Sequence, residues 1–288
     1  MSRSFIKMHG AGNDFIIFDA RHETVPLTAE QVRRIAARGN VITKGCDQVI
    51  AMESSRQADV FMRIYNADGS EVNACGNATR CVGWLIMEEK SADAATVHTH
   101  AGLLHCMRSG KTQVTVEMGA PSFDWRDIPL SQEMDTLHTG IRINDAILNP
   151  VAVSMGNPHA VFFVNDPALL KSTDMATVNG ALQAFFPQGV NVSIGYLHKP
   201  YAKQATEPVM IDVRVWERGV GETPACGTAA CAVMAAAWMR SPIGNKARIR
   251  FQPSEYVLEV EWPDDGSAKK PILLTGPVQV EFTGMISL

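Results

Sequence analysis

The sequence predicts an α/β chain of the α+β kind, made of two pseudo-symmetric, internally duplicated halves. Three observations carry this expectation. A pattern of strand, polar turn, Ala-Cys-Gly and helix occurs twice. Short strand-like runs punctuated by glycine and proline fill most of the remainder. The chain has 288 residues, enough for one large domain or two ordinary ones.

The duplication is read residue by residue. Arg63-Ile-Tyr-Asn66 matches Arg214-Val-Trp-Glu217, and Ala74-Cys-Gly-Asn-Ala78 matches Ala225-Cys-Gly-Thr-Ala229. Both matches share one offset (214 − 63 = 151 and 225 − 74 = 151). Upstream, Gly12-Asn-Asp-Phe-Ile-Ile-Phe-Asp19 echoes Gly156-Asn-Pro-His-Ala-Val-Phe-Phe-Val-Asn165 at a slightly smaller offset (156 − 12 = 144), a difference that loops can absorb. Fixed-period self-similarity in the same order marks a repeated structural unit.

In chain order, 15–18 reads as a strand. Residues 28–37 read as a helix, with Thr28 at the N-cap and Val32, Ile35 and Ala36 on the apolar face. The run 60–65 is a strand that enters the first Ala-Cys-Gly, and 79–87 is the helix that leaves it. Residues 111–118 form a strand before a boundary placed near 119–121. In the second half, 209–216 is the strand and 230–238 the helix, alanine-rich and a strong helix former. A strand at 256–262 precedes a polar hairpin or loop at 263–270. A last strand around 278–282 returns to the first half. The expected domains are 1–119, joined by 277–288, and 120–276, with the active site in the cleft between the two halves.

Composition excludes several classes. The formal net charge of -4 gives no basic field for nucleic acid. No apolar run approaches the roughly 20 residues of a membrane helix. The first 18 residues lack a secretory pattern, so a cytoplasmic protein is expected. The six cysteines are too sparse for a disulfide scaffold, and no Cys-x2-Cys pair or other common metal spacing is present. Neither a metal nor a cofactor is expected. Cys46, Cys81, Cys106 and Cys231 read as packed thiols.

Cys75 and Cys226 read differently. Each precedes a glycine and then a helix, where unpaired N–H groups and the macrodipole favour a thiolate and an anion. Two such helix starts facing one another would hold one α-carboxylate. A thiolate on one side would take the α-proton, and a thiol on the other would return one to the opposite face. That is stereoinversion, with fixed dipoles stabilising the developing charge. Glu217 and Arg218 suit an ammonium and a carboxylate. Asn13, Asn157 and Asn191 lie in glycine-containing loops where a carboxamide can donate or accept.

Together, several motifs resemble the diaminopimelate epimerase family across essentially the whole chain. They are Lys7-Met-His-Gly-Ala-Gly-Asn-Asp-Phe15, Cys46-Asp-Gln48, Tyr65-Asn-Ala-Asp-Gly-Ser70, Cys75-Gly-Asn77, Met155-Gly-Asn-Pro-His159, Gly189-Val-Asn191, Glu217-Arg-Gly-Val-Gly-Glu-Thr223 and Ala225-Cys-Gly-Thr228. The resemblance implies the family's two-half fold and cofactor-free interconversion of LL- and meso-diaminopimelate, on the route to lysine and peptidoglycan. It maps the cysteine pair onto Cys75 and Cys226. The reacting centre maps onto Asn13, Gln48, Gly76, Asn77, Gly227 and Thr228. The distal L-centre maps onto Asn66, Asn157, Asn191, Glu217 and Arg218, with His159 beside the site. The expected partner is the small-molecule substrate, with no nucleic acid and no membrane, in a homodimer. Ala78 and Ala229 stand where the family often has glycine. Both are expected to be helical, so alanine is tolerated. Lys44 replaces a small or apolar residue in the loop before Gln48.

Two other readings are separable. Proline and hydroxyproline racemases typically have histidine where this chain has Asn77, and they lack the Glu-Arg pair. Phenazine-pathway isomerases lack the cysteine pair. A non-catalytic thiol-redox protein would not exchange a substrate α-proton with solvent.

Overall fold

A computed structural model describes residues 2–23, 25–198, 207–241, 243–254, 256–263 and 268–288. The described residues divide into two compact units, Met1–Glu117 with Thr275–Leu288, and Met118–Leu274. The chain begins with β1 (Ser2–Gly10), β2 (Asn13–Ala20), α1 (Ala29–Ala36), β3 (Gln48–Glu53), β4 (Val60–Asn66) and β5 (Glu71–Val72). It continues with α2 (Gly76–Lys90), β6 (Ala94–Thr99), β7 (Gly102–Gly110) and β8 (Gln113–Glu117). The second unit contains β9 (Val151–Ser154), β10 (Pro158–Phe163), α3 (Ala168–Ser172), α4 (Met175–Leu182) and β11 (Asn191–Leu197). There follow β12 (Val209–Glu217), β13 (Gly221–Thr223), α5 (Gly227–Arg240), β14 (Lys246–Phe251) and β15 (Val257–Glu261). Then β16 (Leu273–Pro277) and β17 (Gln279–Ser287) lead back into the first unit.

The two ladders have one grammar. In the first unit, strands pair in the order β17, β1, β2, β3, β4, β6, β7, β8, with β2/β3 and β4/β6 parallel and the other steps antiparallel. In the second the order is β9, β10, β11, β12, β14, β15, with β10/β11 and β12/β14 parallel. β5 folds back on β4 as β13 does on β12. The repeated sequence thus folds into repeated topology. Even an ion pair is copied: Arg63 binds Glu71 across the first hairpin, and Arg214 binds Glu222 across the second.

Each unit wraps its strands around one helix. α2 packs on β1, β4, β6, β7 and β8, and α5 on β9, β10, β11, β14 and β15. α5 is buried from Ala229 to Ala237 without a polar face. A helix apolar all round belongs inside, and alanine lets strands approach it from every side. On the outer face of the first sheet, α1 covers Ile16, Phe18 and Val49 with Val32, Ile35 and Ala36. Thr28 caps α1 as expected, and Gln31 completes a capping box. In the second unit, Leu170, Met175, Val178 and Leu182 of α3 and α4 pack against Val192 and Ile194. The stretch from 118 to 150, for which the sequence showed no element, is largely turns, yet it buries Ile128, Leu130, Ile141 and Ile147 in that same core.

The last strand pairs antiparallel with β1, Ser2 opposite Ser287 and Ile6 opposite Thr283. Ala78 and Ala229 are helical, in keeping with their place inside α2 and α5. Lys44 adopts a left-handed backbone with φ +57 and holds its ammonium 5.2 Å from the Phe282 ring. Of the polar hairpin or loop read at 263–270, residues 264–267 lie outside the described residues. Among the described residues, no helix is long and apolar enough to cross a membrane.

Candidate active site

Cys75 and Cys226 are the N-cap residues of α2 and α5. Their backbones match: φ −150, ψ 110 at Cys75 and φ −136, ψ 121 at Cys226. Each carbonyl accepts the first helical bond, from Thr79 at 2.9 Å and from Ala230 at 3.0 Å. Neither sulfur makes a full capping hydrogen bond to its own helix, although the Ala229 N–H approaches Cys226 Sγ. The hairpin before each helix and the glycine after each cysteine therefore place a thiol at a helix mouth.

In the first unit the Cys75 thiol donates to Asn13 Oδ1 at 3.6 Å. Asn77, buried in the first turn of α2, donates Nδ2 to the same oxygen at 3.3 Å. Arg80, one turn on and fully buried, donates Nη2 to Asn77 Oδ1 at 2.6 Å. Gly10 lets β1 reach this point, because a Cβ there would stand 3.1 Å from the Asn77 carbonyl oxygen. Asn13 Nδ2 donates to Asp47 Oδ2 at 2.9 Å. Gln48 opens β3 beside Phe15 and opposite Asn66, and its Nε2 donates to Asn66 Oδ1 at 3.1 Å. Gln48 Oε1 is a buried acceptor with no hydrogen-bond partner among the described residues.

In the second unit Thr228 Oγ1 lies 3.4 Å from Cys226 Sγ and accepts from Asn157 Nδ2 at 3.3 Å. His159 Nε2 is 2.9 Å from Asn157 Oδ1. That oxygen can only accept, so the imidazole carries its proton on Nε2. His159 is fully buried, and burial, with the charge of Arg218 second, lowers its pKa to about 3. It therefore sits in the site as a neutral donor. Asn191 accepts the Arg218 backbone N–H at 2.9 Å and donates to the Pro158 carbonyl at 3.1 Å. Arg218 itself bonds the Gln188 carbonyl at 3.2 Å. Its Cγ and Cδ would stand 3.0 Å from a Cβ at Gly189, whose φ of +77 also favours glycine, which accounts for the glycine of that motif. Glu217 accepts from the Thr223 hydroxyl at 2.5 Å.

The expected helix-start activation of Cys226 is corrected by its surroundings. Burial first, then the negative charge of Glu217, push its thiol well above the ordinary range. The Thr228 hydroxyl and the Ala229 N–H act the other way and are outweighed. In the ligand-free protein Cys226 is a neutral thiol. Cys46, Cys81 and Cys106 are packed thiols, pushed up to about 12 by burial. Cys231 is also buried. Among the described residues, no group of three or more His, Cys, Asp or Glu side chains is placed to hold a metal ion.

Asn13 and Asn77 lie in a side-chain chain at Cys75, and Thr228, Asn157 and His159 lie in one at Cys226, with Glu217 close to that sulfur, whereas Gln48 bonds Asn66 and Asn191 bonds the Arg218 backbone in separate pairs. Residues expected at different ends of the substrate are bonded to each other, Gln48 to Asn66 and Asn157 to Thr228. Asp47 and Arg80 went unremarked in the sequence. The first lay inside a quoted motif, and the second was a lone charge in an apolar helical run.

Solved structures with this fold span the whole chain. A phenazine biosynthesis protein from Bacillus anthracis superposes with a TM-score of 0.70 at 19% identity, covering 100% of both chains. A hydroxyproline epimerase from Agrobacterium vitis gives a TM-score of 0.61 at 14% identity, covering 99% of this chain and 91% of its own. These likenesses show the duplicated fold, and the matches of the sequence itself place the chain in the epimerase class of enzymes. The family model for diaminopimelate epimerase matches residues 5–123 and 151–281. A relative of that name from Phenylobacterium zucineum is 43% identical over 287 residues, covering 99% of this chain and 98% of its own. Another from Rhodospirillum centenum is 43% identical over 291 residues, covering 100% and 93%. The chain belongs to the diaminopimelate epimerase family.

Proposed function

We propose that the protein interconverts LL- and meso-2,6-diaminopimelate without a cofactor, using Cys75 and Cys226 as an acid/base pair on opposite faces of one α-carbon. Such a reaction supplies lysine and peptidoglycan precursors. The observation that carries the reading is the pair of cysteines in matched N-cap conformations at the starts of the two repeated helices. Helix-mouth N–H groups favour a carboxylate and the charge that spreads onto it as the α-proton leaves.

With one thiol ionised, its sulfur takes the α-proton, and the other thiol gives its own proton to the opposite face. The C–H bond broken on one side is replaced by one formed on the other, so the two cysteines exchange protonation states. Asn13, Gln48, Gly76, Asn77, Gly227 and Thr228 hold the reacting centre. Asn66, Asn157, Asn191, Glu217 and Arg218 hold the distal head, Arg218 on its carboxylate and Glu217 on its ammonium. That ammonium would neutralise the charge that raises the Cys226 thiol, so binding favours its ionisation. His159 serves as a neutral hydrogen-bond donor behind Asn157.

The test is incubation with LL-diaminopimelate in D2O under reducing conditions. The meso isomer should form with deuterium at the inverted carbon, and Cys75→Ala and Cys226→Ala should each abolish turnover in folded protein. Proline turned over as efficiently as diaminopimelate, or a single cysteine variant near wild-type activity, overturns the reading.

A further inference from the structure

The carboxamides nearest Cys75 stand in a head-to-tail chain between two charges. Arg80 Nη2 donates to Asn77 Oδ1, Asn77 Nδ2 to Asn13 Oδ1, and Asn13 Nδ2 to Asp47 Oδ2. A carboxamide has one accepting and one donating end. The guanidinium at one end and the carboxylate at the other therefore fix the direction of both amides. Were Asn13 turned over, its NH2 would face the NH2 of Asn77, and its oxygen would face the Asp47 carboxylate.

Asp47 is itself held from several sides. Its Oδ2 also accepts the Asp14 N–H at 3.1 Å, and its Oδ1 accepts Arg38 Nη2 at 2.5 Å. Its own N–H donates to Asp14 Oδ1 at 2.9 Å. Asp14 is anchored by the buried Lys7 ammonium and by both terminal nitrogens of Arg38. Lys7 also donates to the Gly45 carbonyl. Two cations and two carboxylates thus lock the Asp47 oxygen in place, away from the sulfur and next to the Asn13 amide nitrogen.

We propose that Asp47 is a positioning residue that holds the Asn13 carboxamide with its oxygen toward Cys75, so that this side of the site presents an acceptor. The inference rests on the reading of Cys75 as an acid/base residue. Without ligand, the acceptor takes the Cys75 S–H. With substrate bound, the same oxygen faces the reacting centre, where an α-ammonium needs an acceptor. What the position requires is an oxygen toward Asn13 Nδ2, not a charge. Asp47→Asn can keep its oxygen toward Asn13 Nδ2 and the Asp14 N–H, giving up only the bond from the exposed Arg38, whereas Asp47→Ala cannot.

The test reads the Cys75 sulfur directly, by peptide-resolved alkylation of ligand-free protein at a pH of about 7.5, so it does not depend on turnover. A hydrogen bond to the neutral form disfavours ionisation. Asp47→Ala removes one of the two holds on the amide, leaving only the Asn77 NH2 to keep its oxygen in place, and should therefore speed Cys75 alkylation about threefold or more. Buried Cys46, Cys81 and Cys106 should stay unreactive, which reports an intact fold. Asp47→Asn should stay within about twofold of wild type, and Asn13→Ala should itself speed alkylation, with no further change on adding Asp47→Ala. The proposal is overturned by an unchanged Cys75 rate in Asp47→Ala, by an effect that persists in the Asn13→Ala background, or by Asp47→Asn matching Asp47→Ala. If Asp47→Ala exposes the buried thiols, Asp47→Asn and Asn13→Ala still decide. Faster Cys75 alkylation in the first, or an unchanged rate in the second, refutes it. Loss of Cys75 as a catalytic residue would appear separately, as turnover surviving in Cys75→Ala.

Discussion

His159→Phe should make the protein less stable at neutral pH and more stable in acid. The fully buried imidazole is held neutral, its pKa lowered from 6.5 to about 3 by burial and then by Arg218. The unfolded chain binds a proton as the pH falls through 6.5, while the folded chain does not until about pH 3. The unfolded state therefore gains protons in that window, and stability falls as the pH falls. At about 1.4 kcal/mol per unit, the penalty reaches roughly 2 kcal/mol by pH 5. Phenylalanine has no such penalty, and the same place in the first ladder, beside Gln48, is held by the fully buried Phe15. The substitution does leave Asn157 Oδ1 without its donor, which costs about 1–2 kcal/mol at every pH. The two stability curves should therefore cross between about pH 5 and 6. Asp14, lowered to about 2 by Arg38 and Lys7 against the opposing effect of burial, loses its stabilising charge only below this window, and in both proteins alike. Urea unfolding at several pH values from 8 to 4.5 measures the difference. A constant difference from pH 7 to pH 5 would refute a buried neutral His159.

Gly189→Ala should displace Arg218 without unfolding the protein. The new Cβ meets Arg218 Cγ and Cδ at 3.0 Å, and the φ of +77 adds about 1–2 kcal/mol of strain. Diaminopimelate KM should rise several-fold, and an unchanged KM would show that this arginine does not hold the substrate. Glu217→Gln removes the charge that helps hold the Cys226 proton, so Cys226 should alkylate faster in the ligand-free protein even as turnover falls. Slower alkylation would mean that the Glu217 charge does not reach the sulfur.

The sequence made the repeat legible because the repeat is local. Strand, hairpin, Ala-Cys-Gly and helix follow one another within a short stretch, and the Thr28 cap is read from adjacent residues. The side chains of the site were legible where they sat in motifs, as Asn13, Gln48 and Glu217 do. Their connections were not. Asp47 meets Asn13 across 34 residues and Asn157 meets Thr228 across 71, which no spacing rule reports. The protonation of Cys226 was not legible for a related reason. A helix start is visible in sequence, but the burial and the approach of Glu217 that outweigh it appear only on folding. The stretch before β9 was silent because its buried isoleucines and leucine sit in turns without period. The family model likewise leaves 124–150 unmatched.

The duplicated scaffold matters most where its copies differ. At the shared offset of 151, Asn66 answers to Glu217, Asn77 to Thr228, and Arg80 to Cys231. The first half keeps its charges one step behind the site, where Arg80 and Asp47 orient neutral carboxamides. The second half carries its own charges, Glu217 beside Cys226 and Arg218 near His159. On the proposed assignment this division has a physical reason. A full charge gripping the reacting carboxylate would stabilise the ground state as well as the carbanion, and uniform binding does not speed the chemical step. Fixed dipoles aimed at the spreading charge gain as that charge develops. The distal head undergoes no chemistry, so full charges there can bind it tightly, and that binding energy positions the carbon that reacts. A symmetric pair of halves would hold both heads of diaminopimelate alike. On that assignment, side-chain divergence on a common backbone is what would tell one head from the other.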